Sequence, residues 1–172
     1  MRIELLLIGL GLLLLLETLR SGVVLARALR ARRTVRRLQD YPSVSVIRPI
    51  RGLDAGAAQN IEAALDHGYP GWAETLFVFD ERDEPALPLV ERALADRRAR
   101  GTECRARVIF AGPPPKGRTG KLNAMMAGLG QAQGELVAFA DSDTRSDPDA
   151  LRVLVETLLG DPRAGSAFAP VV

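Results

Sequence analysis

The chain of 172 residues holds one cysteine, Cys104, and one histidine, His67. A lone cysteine excludes a disulfide framework and a thiolate metal cluster. It also agrees with a reducing compartment. A zinc site built from His and Cys lacks its parts, and so does a triad that turns on histidine. His67 stands just before Gly68 and reads as a helix-end cap or a surface residue. Aromatic residues make up 5% of the chain. Only Tyr41 follows the arginine cluster Arg27, Arg30, Arg32, Arg33, Arg36 and Arg37, which sits beside an apolar run; that pattern does not support a nucleic-acid partner. Tyr69 and Trp72 flank a turn and read as packing at a helix end. Lysine is scarcer still. Lys116 and Lys121 are the only two lysines among 23 basic residues, which suggests that arginine would not serve at one or both places. There is no internal repeat and no low-complexity segment, and Pro113-Pro114-Pro115 is short enough to be a stiff loop.

What is present is a globular composition. Hydrophobic residues are 47% and charged residues 26%, with a net charge of +2. That is enough for one domain with a real core and excludes a disordered chain. The N-terminus carries an unbroken apolar run, Leu5 to Leu16. The run alone is too short for a bilayer, which takes roughly 20 residues. Extended from Ile3 to Leu25, it gives about 35 Å of helix at about 1.5 Å per residue. Glu17 and Arg20 lie three apart on one face of that helix and can pair. The arginine cluster follows at once. Residues 1–28 are therefore expected to form a transmembrane helix and 29–42 a basic juxtamembrane linker, with the following domain on the cytoplasmic side. A cleaved signal peptide is the main rival, because Ala26-Arg27-Ala28 resembles a cleavage site. Against it, the strong positive charge lies after the apolar run. An interfacial helix is a further alternative.

From Tyr41-Pro42 onward, strand and helix signals alternate. Ser43 to Ile47 reads as a strand, with Arg48-Pro49-Ile50-Arg51-Gly52 as its exit loop. Ala57 to His67 reads as a helix, Leu76 to Phe79 as a strand and Leu87 to Arg98 as a helix. Arg107 to Phe110 is a third strand, Lys121 to Gln131 a third helix, Leu136 to Ala140 a fourth strand and Pro148 to Leu159 a fourth helix. Ser166 to Val172 reads as the start of a fifth strand. The alternation predicts an α/β sandwich with a mostly parallel sheet over residues 43–172. The apolar run Leu136 to Ala140 reads as a strand buried on both faces.

Two of these strands run into acids: Asp80 and Asp83 after the second, Asp141 and Asp143 after the fourth. In such sheets ligands sit beyond the carboxyl ends of the strands. The two acid pairs should therefore converge on one edge. Two hard oxygen ligands there suit Mg²⁺ or Mn²⁺ carrying a phosphorylated substrate. An Asp-rich turn that caps the next helix would leave the same pattern. Between the acid pairs, Gly112 to Lys121 is a basic loop leading into a helix, whose free N–H groups favour phosphate. It is not a P-loop: Leu122 follows Gly120-Lys121, and Pro115 stands where the first glycine is required. No GxGxxG fingerprint follows the first strand. A nucleotide bound through a metal and acids fits better than either motif.

These residues, in this order, resemble the nucleotide-sugar glycosyltransferases of family 2 type with a GT-A fold, and within them the ceramide glucosyltransferase-like branch, family 21. The resemblance rests on Val46 to Asp54, Gly68-Tyr69-Pro70, Phe79 to Ala86, Gly120-Lys121-Leu122-Asn123 and Asp141-Ser142-Asp143, preceded by a membrane helix. It implies a GT-A (Rossmann-like) domain and a metal-dependent, inverting transfer of sugar from a UDP-sugar to a lipid acceptor. Pro49 and the loop after it would border the nucleotide. Asp80 or Asp83 would hold the uracil or ribose, and Lys121 would lie near the nucleotide or its phosphates. Asp141 and Asp143 match the DxD motif that holds the divalent cation, Mg or Mn, on the diphosphate. The family's general base and its Gln/Arg-x-x-Arg-Trp motif lie further downstream and have no match here. The base is expected beyond Val172. The chain is expected to be an N-terminal fragment, the donor-binding half, inactive alone; the alternative is a catalytically dead nucleotide-binding or regulatory module of the same fold.

Overall fold

A computed structural model describes residues 2–30, 37–102 and 104–169, and within the first helix the side chains of residues 7–24. The chain divides into two units, Met1–Val35 and Arg36–Val172.

The first unit is helix α1, Arg2–Arg30. Its segment Leu7–Val24 has a mean hydropathy of 1.8 and none of it is buried, so it is long and apolar enough to cross a membrane. Glu17 and Arg20 pair as expected, Nε to carboxylate at 3.1 Å. Residues 31–36, which hold much of the basic cluster, lie outside the described residues.

In the second unit, strands β1 (Val44–Ile50), β2 (Ala73–Phe79), β3 (Ala106–Phe110) and β4 (Leu136–Phe139) alternate with helices α2 (Ala57–Ala64), α3 (Leu87–Ala99), α4 (Gly120–Leu129) and α5 (Ala150–Leu159). The strands form one parallel sheet in the order β3-β2-β1-β4. Side chains that alternate along each strand supply both faces of the core. Phe77, Phe79 and Ile50 meet Ile61 of α2 and Val90 of α3 on one face. Val44 meets Leu151 and Val155 of α5 on the same face. Ile47, Leu76 and Val78 meet Ala124 of α4 on the other. The α/β architecture matches the sequence expectation.

Three expectations need correction. First, Arg48-Pro49-Ile50 is strand, not exit loop. In β1 the odd-numbered residues turn their backbone groups toward β4, as the bonds from Leu136 N–H to the Ser43 carbonyl and from Ala140 N–H to the Ile47 carbonyl show. Proline has no N–H to offer, and the ladder to β4 stops at Ile47 and Phe139, whereas pairing with β2 continues to Ile50. Secondly, β4 is not buried on both faces. It lies at the sheet edge, and α4 packs over β1, β2 and β3. Val137 and Phe139 are left 36% and 51% exposed. Thirdly, Ser166–Ala169 is irregular rather than the start of a fifth strand; Pro170 to Val172 lie outside the described residues.

Candidate functional site

The chain lays down β1, β2 and β3 in one direction and then returns to place β4 on the other side of β1. That reversal opens a crevice at the carboxyl ends of the strands, the usual ligand position in open α/β sheets. A cavity of about 410 Å³ occupies it. Pro49, Arg51 and Asp54 line it from the end of β1, and Asp80 from the residue after β2. Thr119, Gly120 and Lys121 line it from the start of α4, and Asp141, Ser142 and Asp143 from the turn after β4.

Local chemistry explains each placement. Thr119 is extended and caps α4, its hydroxyl accepting from Leu122 N–H at 3.3 Å. The first turn of α4 therefore faces the cavity with free N–H groups and a partial positive charge. Gly120 permits a close approach: a Cβ there would stand 3.0 Å from Asp80 Oδ2 and 3.5 Å from an Arg51 nitrogen. Lys121 reaches across to Asp141, Nζ to Oδ1 at 2.6 Å, with both side chains more than half exposed. The acidic turn is pinned from behind. Ser142 donates to Asp54 at 2.6 Å, Asn60 Nδ2 donates to the Ser142 carbonyl at 3.2 Å, and Thr144 donates to the Asp141 carbonyl at 2.8 Å. Arg48, buried on β1, donates to the carbonyls of Asp141 and Thr144 at 2.7 and 2.9 Å. Burial pushes the Arg48 pKa below the ordinary arginine value, and the negative charges of Asp141 and Asp143 push it back up.

The structure thus brings Pro49, Asp80, Lys121, Asp141 and Asp143 to one cavity. Asp83 is exposed and is not among the lining residues. Tyr69 and Trp72 lie elsewhere. Tyr69 is buried, donates to the Pro42 carbonyl at 2.7 Å and sits edge-on to Tyr41; burial, more than the negative charges of Tyr41 and Glu135, pushes its pKa up to about 12. His67 and Cys104 are half-buried and line no part of the cavity. The sequence alone does not mark Arg48, Asn60 or Thr119 as site residues. For Arg48 the sequence carries no distinct signal, since a charge beside proline after an alternating run reads as a strand end.

The donor set has a clear chemical bias. Among the described residues no group of three or more His, Cys, Asp or Glu is placed to hold a metal ion. Two carboxylates beside an open cavity do not make a protein cage. They suit a hard divalent cation whose remaining ligands are phosphate oxygens and water, as is usual for Mg²⁺. The start of α4 and Lys121 add positive charge to the cavity lining, which favours an anion such as phosphate.

Residues 10–172 match the family described as Glycosyl transferase family 21. The chain belongs to this family. Ceramide glucosyltransferase 1 of Caenorhabditis elegans is 31% identical over 125 residues, which are 73% of this chain and 26% of that protein. Ceramide glucosyltransferase of Candida albicans is 24% identical over 127 residues, 70% of this chain and 23% of that protein. The family 21 chain thus spans about a quarter of the length of these relatives. Among solved structures, a mannosyltransferase from Pyrobaculum calidifontis, in complex with GDP-Man and Mn²⁺, superposes with a TM-score of 0.51 at 22% identity. The match covers 87% of this chain and 43% of that one. It bears out the expected glycosyltransferase fold of GT-A type.

Proposed function

We propose that the family 21 chain is the donor-binding half of a membrane-anchored, ceramide glucosyltransferase-like enzyme that moves a sugar from a UDP-sugar to a lipid. The observation that carries this reading is the cavity at the strand-order reversal, where Asp80, Lys121, Asp141 and Asp143 meet the start of α4. In this reading Asp141 and Asp143 hold a divalent cation, Mg or Mn, on the diphosphate. Held there, the cation would supply positive charge against the negative charge that builds on a departing nucleotide. Lys121 leaves its pairing with Asp141 and turns its charge to the phosphates. Pro49 and the loop after it border the nucleoside, and Asp80 accepts from uracil or ribose. Asp80 takes this role over Asp83 because Asp80 lines the cavity. Helix α1 serves as the membrane anchor, with the domain on the cytoplasmic side beside the arginine cluster. An inverting transfer also needs a base to deprotonate the acceptor hydroxyl. We assign that base to the part of the relatives' length that these 172 residues do not span, so the chain alone binds donor without transferring sugar.

Calorimetric titration of UDP into the detergent-solubilised chain tests the proposal. Binding should require Mn²⁺, vanish in Asp143→Ala and in Asp80→Ala, and persist in Asp83→Ala. A chain that melts cooperatively yet takes up no UDP overturns the donor-half reading, and tighter binding of GDP than UDP changes the donor.

A further inference from the structure

The acidic turn poses a physical problem. Asp141 and Asp143 are like charges one residue apart, on an exposed turn at the sheet edge, and both must face one cavity. A buried arginine lies directly behind them. Arg48 is 2% exposed. Its side chain lies on the face of β1 that carries Val44 and Ile50, between the α5 cluster and the α2–α3 cluster. Among the described residues no carboxylate bonds to it directly. One guanidinium nitrogen serves two backbone carbonyls, those of Asp141 and Thr144, and Nε has no hydrogen-bond partner among the described residues.

That is a costly arrangement for a residue that merely fills space. A buried charge destabilises unless paired, and an apolar side chain of similar size would avoid the cost. What Arg48 does achieve is specific. Its two bonds fix the first and last carbonyls of the turn that carries Asp143, and the Asn60 bond fixes that of Ser142 between them. Its charge also sits behind both carboxylates and offsets their mutual repulsion before a cation arrives. Partners of this kind, one step removed from a metal, commonly tune its affinity by about 10- to 100-fold.

We infer that Arg48 is a positioning residue: held in the core by β1, it clamps the Asp141–Thr144 turn in the conformation that presents both carboxylates to a divalent cation. The inference rests on the assignment of Asp141 and Asp143 as cation ligands, and the test separates the two. Mn²⁺ alone is titrated into the detergent-solubilised chain and followed by the paramagnetic signal of the free ion. Hydrogen exchange of the Asp141–Arg145 amides is measured on the same samples.

In Arg48→Met, Mn²⁺ affinity should fall roughly 10- to 100-fold. Exchange in the turn should quicken while β2 and α3 keep their protection. Arg48→Lys retains one charged nitrogen for both carbonyls and should recover much of both. A purely structural Arg48 would lower the melting temperature and leave the folded protein's Mn²⁺ affinity and turn exchange unchanged; that result overturns the inference. Should Arg48→Met fail to melt cooperatively, Arg48→Gln, neutral but still a donor, takes its place beside Arg48→Lys, and equal Mn²⁺ affinity and exchange in the two overturns the charge argument. If the wild type binds no Mn²⁺, or Asp143→Asn binds it equally, the ligand assignment fails. The exchange of the turn in Arg48→Met then decides the clamp by itself.

Discussion

At the residue scale, position relative to the core decides what each ionisable group contributes. His67 stands three residues beyond α2, half-buried. Burial lowers its pKa from the ordinary 6.5, Asp66 pulls it back up, and Arg97 lowers it further. The native state therefore prefers neutral imidazole, while the unfolded chain protonates first as pH falls. His67 thus contributes stability above pH 6.5 that is lost as pH falls through its lower native pKa. His67→Gln should remove that part of the acid sensitivity. The difference in melting temperature between variant and wild type should shift in the variant's favour from pH 7 to pH 5. A difference that stays constant across that range would exclude His67 as the source. The same scale shows what was legible in the sequence. Asp80, Asp141 and Asp143 each follow an apolar run, and a parallel sheet sends such residues to one edge. Arg48 was not legible, because a charge next to proline looks like the end of a strand. Only the register shows that the strand continues and that the arginine points into the core behind the acids.

At the element scale, α4 carries Gly120 and Lys121 to the cavity, and its close approach to the sheet depends on Gly128. A Cβ at Gly128 would come within 2.5 Å of Ile47 Cγ2 and 3.2 Å of Val78 Cγ2. Both neighbours are fully buried on strands, so neither has room to yield. Gly128→Ala gains about 1 kcal/mol of helix propensity and meets overpacking of about 1–3 kcal/mol. A net loss is expected, read as a lower melting temperature. UDP affinity should also fall as the start of α4 is pushed from Asp80. A variant as stable as wild type would show that α4 can shift without strain. Helix identity was readable from apolar spacing, but helix ends were less so. The helix that the sequence predicts over Ala57 to His67 is α2, which stops at Ala64, where Leu65 N–H bonds back to both Ile61 and Glu62. The last helix begins at Ala150 rather than Pro148, because Asp147 turns the chain first, accepting from Asp149 N–H through its side chain and from Ala150 N–H through its carbonyl.

At the scale of the whole molecule, the alternation of strands and helices made the α/β class legible, but the extent of the sheet's cover was not. An apolar run such as Leu136 to Phe139 has the same composition whether one neighbour or two will cover it. In the structure β4 pairs only with β1 among the described residues, and Val137 and Phe139 face outward. The outer side of α4 adds Leu122, Met126 and Leu129, each about half exposed. A free strand edge beside exposed apolar side chains favours association with other chains. The buried clusters are all drawn from residues 38–155, so the second unit has its own core without α1. Residues 37–172 should therefore fold without detergent but associate at micromolar concentration, as sedimentation velocity would show. Phe139→Lys places a charge on a side chain that is already half exposed. It should shift the population toward monomer and change stability by no more than about 0.5 kcal/mol, as surface substitutions do. A collapse in melting temperature would instead mean that Phe139 supports the core from the edge, and unchanged association would clear β4 of responsibility for it.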